Sequence, residues 1–146
     1  MAGVRAFDHV GITVRDLEAV TAFFTDLGFE MEGRMPMEGE FLDTVVGMPN
    51  ARTEMVMLRP PGGGTGLEVA TFVRPETISG APDTPENEVG IRNLGFEVDD
   101  LSAVLERIAA AGYRPIGGVG EYEGIWTMAH VRGPEGIIVS LAERIG

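Results

Sequence analysis

The chain has 146 residues, 44% apolar and 23% charged, ordinary values for a globular protein long enough to bury its own core. Eleven basic residues, all Arg, face 23 acidic ones, and the net charge of −12 argues against nucleic acid or an anionic membrane as a partner. Cysteine and lysine are absent, which excludes disulfides, thiolate metal sites, cysteine nucleophiles and Schiff-base lysines.

In chain order, Val10, Ile12 and Val14 alternate with His9, Gly11 and Thr13, the period of a half-buried strand. Asp16 then stands where a helix N-cap belongs, and Leu17, Val20, Phe24 and Leu27 follow at helical spacing up to Gly28. Three strands are expected next, over 29–37, 52–59 and 66–73, with residues 38–51 as a longer excursion and Pro60 to Gly66 as a turn rich in breakers. The stretch 74–88, with Pro75, Pro82 and Pro85 and four acidic residues, reads as a linker.

The pattern then repeats. Residues 93–112 align without a gap on residues 9–28, and Gly11, Val14, Asp16, Leu17, Ala19, Val20 and Gly28 recur as Gly95, Val98, Asp100, Leu101, Ala103, Val104 and Gly112. A second strand and helix are therefore expected, followed by strands over 113–119, 123–132 and 136–142. The fold class is α+β: two paired βαβββ modules, 5–73 and 89–143, within one domain spanning 1–146, forming an open, cupped mixed sheet with the helices outside. One helix covers only one face of each sheet, so the other faces are expected to form a cleft.

Strand parity assigns the side chains of that cleft. If Val10, Ile12 and Val14 lie under the helix, His9 points away from it. The same rule turns Glu68 and Phe72 away from Leu67 and Val69, and Ser140 away from Val139 and Leu141. By the repeat, Asn93 matches His9. If Thr127, Ala129 and Val131 are covered, Trp126, Met128 and His130 face the cleft. Met31, Met35, Met37, Met48, Met55 and Met57 are candidates for core or, some of them, for an adaptable apolar lining.

The segments FDHVGITVRDLEAVTAFFTDLGFE, GLEVATF, GIRNLGFEVDDL and RGPEGIIVSLAE together resemble the glyoxalase / bleomycin-resistance / extradiol-dioxygenase family, the vicinal oxygen chelate superfamily. The resemblance implies a lyase, isomerase or oxygenase acting on a small oxygen-bearing organic substrate, with one divalent metal ion (Fe, Mn, Ni or Zn) or none. It implies His9 and Glu68 as metal ligands of the first module. Asn93 and Ser140 stand where a second histidine and a second carboxylate are usual, and both are weak donors. Ordinary glyoxalase I activity is therefore not expected, since Ser140 replaces the base of that chemistry. His130 could complete a two-histidine, one-carboxylate metal set, and either Glu68 or His130 could act as general base. Asn93, Ser140, Phe72, Trp126 and Met128 are the expected substrate-binding residues. The alternative is a metal-free protein that sequesters a small molecule, as the drug-resistance members do. A homodimer and a cytoplasmic location complete the expectation; no apolar run reaches the roughly 18 residues of a membrane span, and no signal-peptide core precedes the first strand.

Overall fold

The computed structural model describes residues 2–146. The chain divides between Ser79 and Gly80 into two compact units. No helix among the described residues is long and apolar enough to cross a membrane.

The first unit contains β1 (His9–Thr13), α1 (Leu17–Asp26), β2 (Glu30–Glu38), α2 (Glu40–Val46), β3 (Arg52–Arg59) and β4 (Gly66–Arg74). Its sheet has the order β1-β4-β3-β2. β1 runs parallel to β4 and the other two pairings are antiparallel. Asp16 caps α1 as expected, its Oδ1 accepting from the Ala19 N–H at 3.0 Å. Gly28, with φ of 107°, ends the helix in a conformation open to glycine. Val20, Phe23 and Phe24 of α1 are buried, as are Val56, Leu58, Leu67 and Val69 of the sheet. Phe24 meets Phe23 and Phe29 edge-on, at ring centroid distances of 5.3 and 5.6 Å. Each fully buried side chain of this size stabilises the unit by roughly 1.5–3 kcal/mol relative to exposure.

The excursion at 38–51 contains the short helix α2, in which Phe41 and Leu42 recur as Val45 and Val46 four positions on. Its Asp43 carboxylate accepts from the N–H groups of Asn50 and Ala51, at 2.9 and 2.8 Å, and so folds the return loop back to β3. Residues 75–79 stay with this unit: the Thr77 hydroxyl accepts from the Phe72 N–H at 2.9 Å, and Arg15 donates to Ser79.

The second unit contains β5 (Leu94–Val98), α3 (Leu101–Ala110), β6 (Gly120–Tyr122), β7 (Trp126–Arg132) and β8 (Ile138–Arg144). Its sheet has the order β5-β8-β7-β6, with β5 parallel to β8. This is the topology of the first unit again. Asp100 caps α3 through the Ala103 N–H at 3.0 Å, and Glu143 Oε1 takes the Leu101 N–H at 2.7 Å. Leu101, Val104 and Ile108 pack inward with Val131, Val139 and Leu141.

One strand differs from its expectation. Residues 113–119 form a single bridge, Pro115 to Val131, and regular pairing waits until β6 at 120–122. Pro115 has no N–H to donate, and Gly117-Gly118 offers no side chain to pack, so the run cannot hold a ladder. β7 likewise starts at Trp126 and not at 123, because residues 123–125 form the turn from β6.

Candidate functional site

In the first unit, His9 and Glu68 stand on the same face of the sheet. Val10 and Ile12 are less exposed than their neighbours on β1, and Val14 beyond them is buried, so His9 faces away from α1. Leu67 and Val69 are buried beneath α1, so Glu68 between them also faces away. The parallel register sets Gly66 opposite His9 and Gly11 opposite Glu68. Neither glycine has a side chain to separate the two groups, and a Cβ at Gly11 would meet nothing within 4 Å. The imidazole and the carboxylate therefore meet across the diagonal, His9 Nε2 to Glu68 Oε2 at 2.5 Å.

A third group joins them. Asp8 Oδ2 lies 2.8 Å from His9 Nδ1. Asp8, His9 and Glu68 each offer one donor atom, and these atoms lie within 4.8 Å of one another. Parity alone misses Asp8, because it precedes the first residue of β1 and the alternation of the strand does not govern it. The adjacency of Asp and His in the sequence was the available signal.

The donors on the Nε2 side suit a divalent first-row ion: one borderline imidazole nitrogen and the hard Glu68 carboxylate oxygen, with no cysteine competing. A carboxylate on Nδ1 fixes the ring tautomer and leaves Nε2 as the ligating nitrogen, the usual arrangement around a metal-bound histidine. A pocket of about 340 Å³ lies in the other unit, and one of about 190 Å³ lies here, lined by Asp8, His9, Glu32, Met57, Arg59 and Glu68 among others.

The sheet register explains four of the methionines, while Met31 and Met48 are exposed and belong to neither core nor lining. Met57 pairs with Glu68 and Met55 with Ala70; on the next strand Met35 pairs with Met55 and Met37 with Thr53. All four therefore share the face of Glu68, while Val56 and Leu58 between them go to the core. Phe72, half-buried, continues the same row of β4. The floor beside the polar cluster is thus made of unbranched, polarizable side chains that adapt to varied shapes.

In the second unit, the register pairs Gly95 with Ser140 as it pairs Gly11 with Glu68 in the first. Ser140 is therefore the structural counterpart of Glu68. It is buried, at 8% exposure. Asn93, the counterpart of His9, lies just before β5 and is exposed. Trp126 and Met128 line the larger pocket with Gly95, Phe96, Glu97, Ser140 and Ala142. Arg144 lies over the Trp126 ring, 5.7 Å from its centroid. His130 follows two residues after Met128 on the same face and pairs across the ladder with Ser140. Its Nδ1 is 2.5 Å from Glu86 Oε1. Glu86 sits in the stretch read as a linker, 44 positions away, and no periodic signal could have reported that contact.

Comparison with known proteins agrees with this fold. A glyoxalase family protein from Bacillus cereus superposes with a TM-score of 0.95 at 32% identity, covering 99% of this chain and 97% of that one. An ethylmalonyl-CoA/methylmalonyl-CoA epimerase of Cereibacter sphaeroides is 31% identical over 111 residues, 75% of this chain and 73% of that protein. TnmS3, an antibiotic binding protein from a Streptomyces species, shares the fold with a TM-score of 0.63 at 18% identity, covering 99% of this chain and 98% of that one. The family model for the Glyoxalase/Bleomycin resistance protein/Dioxygenase superfamily matches residues 6–141. By its duplicated sheet, its paired glycine registers and that match, the chain belongs to this superfamily.

Proposed function

We propose that this protein is an enzyme acting on a small organic molecule through neighbouring oxygens, with one divalent ion held by His9 and Glu68 and with Asp8 orienting the His9 ring. The observation that carries the reading is the contact of His9 Nε2 with Glu68 Oε2 at 2.5 Å, backed by Asp8 on Nδ1 at 2.8 Å. Among the lyase, isomerase and oxygenase chemistries of the family, isomerisation by proton transfer has the support of the 31% identity to the epimerase.

An ion of the Mn, Fe, Ni or Zn kind would supply Lewis-acid polarisation of paired substrate oxygens. The chain's own groups have separate tasks. His9 offers nitrogen through Nε2, and Asp8 holds the Nδ1 proton so that this nitrogen stays a donor of electrons. Glu68 offers an oxygen, or accepts a proton from the substrate where the ion leaves that oxygen free. Met35, Met55 and Met57 give the apolar part of the substrate a compliant floor. Ser140 has no basicity for the proton transfer of ordinary glyoxalase I, so that reaction is not proposed. The reading includes a homodimer and a cytoplasmic protein, the former open to a sedimentation measurement.

Titration calorimetry with Mn²⁺, Fe²⁺, Ni²⁺ and Zn²⁺ tests the reading. One ion per chain is expected, with binding lost in His9→Ala and Glu68→Gln while circular dichroism stays unchanged. No binding of any of the four to the unaltered protein would refute it.

The pocket of the second unit favours a second reading, a metal-free protein that binds and sequesters an apolar molecule. Phe96, Trp126 and Met128 line it, and Asn93 and Ser140 are hydrogen-bonding groups but poor ligands. Trp126 is the only tryptophan, so its fluorescence reports occupancy directly. Saturable quenching by an aromatic ligand with no metal bound would support this reading against the first.

A further inference from the structure

We infer that Glu86 and His130 form an acid–base station on the second unit, in which His130 transfers the proton and Glu86 is its positioning residue. The inference rests on the proposed reading only in taking the protein as an enzyme that moves protons.

The chemistry of the contact fixes the tautomer. An ionised carboxylate has no proton to give, so at the 2.5 Å contact His130 Nδ1 donates to Glu86 Oε1. In its neutral form the ring then has its lone pair on Nε2. Among the described residues, no bond to that nitrogen accompanies the Glu86 contact. His9 differs, because both of its ring nitrogens already meet carboxylates. His130 is thus the histidine left with a basic atom to use.

Glu86 is held in place. The Glu88 N–H donates to the Pro85 carbonyl at 3.2 Å, which closes a turn with Glu86 inside it. Upstream, Arg132 donates to the Pro82 carbonyl at 3.3 Å. Gly136, with φ of 83°, lies so close to Pro82 that a Cβ there would be 2.4 Å from the Pro82 oxygen. The segment from Pro82 to Glu88 is therefore seated on the second unit, which is what a positioning residue requires.

His130 borders a pocket whose lining includes its cross-strand partner Ser140 and its row neighbour Met128 but not the histidine itself. Trp126, Met128 and His130 occupy one row of β7, so His130 follows Met128 by about 7 Å along the strand. Ser140, its cross-strand partner, lines the pocket of about 340 Å³ with Phe96, Trp126 and Met128. The ligand class is an aromatic or apolar body carrying an acidic C–H or O–H. In the forward step that proton passes to Nε2 and its bonding pair stays on the substrate, delocalised into an adjoining carbonyl or ring. The imidazolium formed is stabilised by the Glu86 carboxylate, and return of the proton restores both partners.

The two histidines of the chain make the test direct. Long-range ¹H–¹⁵N spectra of ¹⁵N-histidine protein should show His130 as the Nδ1–H tautomer. Glu86→Ala should shift it towards the Nε2–H form of free imidazole, and Glu86→Gln, whose amide oxygen still accepts, should retain it. Acylation of His130 by diethyl pyrocarbonate should slow several-fold in Glu86→Ala. Bound 2-naphthol, an aromatic O–H acid, should protect His130 from that reagent while quenching Trp126. An Nε2–H tautomer in the unaltered protein, an unchanged tautomer in Glu86→Ala, or quenching without protection would overturn the inference. His9→Ala should leave the His130 tautomer as it is. Failure of metal binding with the His130 results intact would therefore sink the metal reading and not this one.

Discussion

Gly11→Val separates stability from ligand chemistry. Gly11 lies in mid-strand opposite Glu68, and its φ is not in the left-handed region. A Cβ there meets no atom within 4 Å, so the branch point of a valine is accommodated and only its methyl groups reach towards neighbours. Glycine in a strand costs roughly 0.5–1 kcal/mol relative to alanine, and a β-branched residue suits the position better still. The variant should therefore be at least as stable as the unaltered protein, by up to about 1 kcal/mol. The new side chain, however, stands beside the Glu68 stem on the face where that carboxylate reaches His9. Divalent-ion affinity should fall at least about tenfold, or about 1.4 kcal/mol. Gly95→Val is the control, because Gly95 holds the same register position opposite Ser140 and is equally free of neighbours. It should show the stability gain and no loss of metal. Urea unfolding and calorimetry on both variants give the four numbers. Unchanged metal affinity in Gly11→Val would refute the account of how the two glycines let the cluster form, and so would a large loss of stability.

Other consequences are as open to measurement. Phe24→Ala empties a site at 0% exposure with two edge-on aromatic neighbours, and should cost about 3–5 kcal/mol in urea unfolding. Asp16→Ala and Asp100→Ala each remove a helix cap and should cost about 1 kcal/mol apiece, with Asp16→Asn close to neutral. Arg52, and after it Arg74, hold the Glu38 carboxyl below its ordinary range. A depressed folded-state pKa gives stability that is present above the unfolded value and lost as pH falls through the folded one. Glu38→Gln should therefore be less stable than the unaltered protein at neutral pH, and the two unfolding curves should converge in acid; a gap that widens in acid would contradict the pairing.

The face of the sheet that carries His9 and Glu68 was legible because its opposite face is so uniformly apolar. Val10, Ile12 and Val14 on one strand and Leu67 and Val69 on the other leave no freedom of register. The repeat was legible for a related reason: Asp16 and Asp100 cap helices, and Gly28 and Gly112 end them, at the same offset. Residues 113–119 misled because the repeat carries over the number of strands but not the missing N–H at Pro115 or the bare Gly117-Gly118. The helix at Glu40–Val46 does carry Phe41, Leu42, Val45 and Val46 at helical spacing, but it is only seven residues long and buries none of them, so the pattern is too short to stand out from a loop. Asp8 and Glu86 were missed for one physical cause. Both act from loops, where the direction of a side chain depends on contacts distant in sequence and not on the period of an element.

The most direct test of the metal reading is pulsed EPR of the protein loaded with one equivalent of Mn²⁺ and labelled with ¹⁵N-histidine. The account predicts a hyperfine coupling to an imidazole nitrogen that disappears in His9→Ala and survives in Asn93→Ala. A spectrum without nitrogen coupling, or one whose coupling persists in His9→Ala, would contradict it.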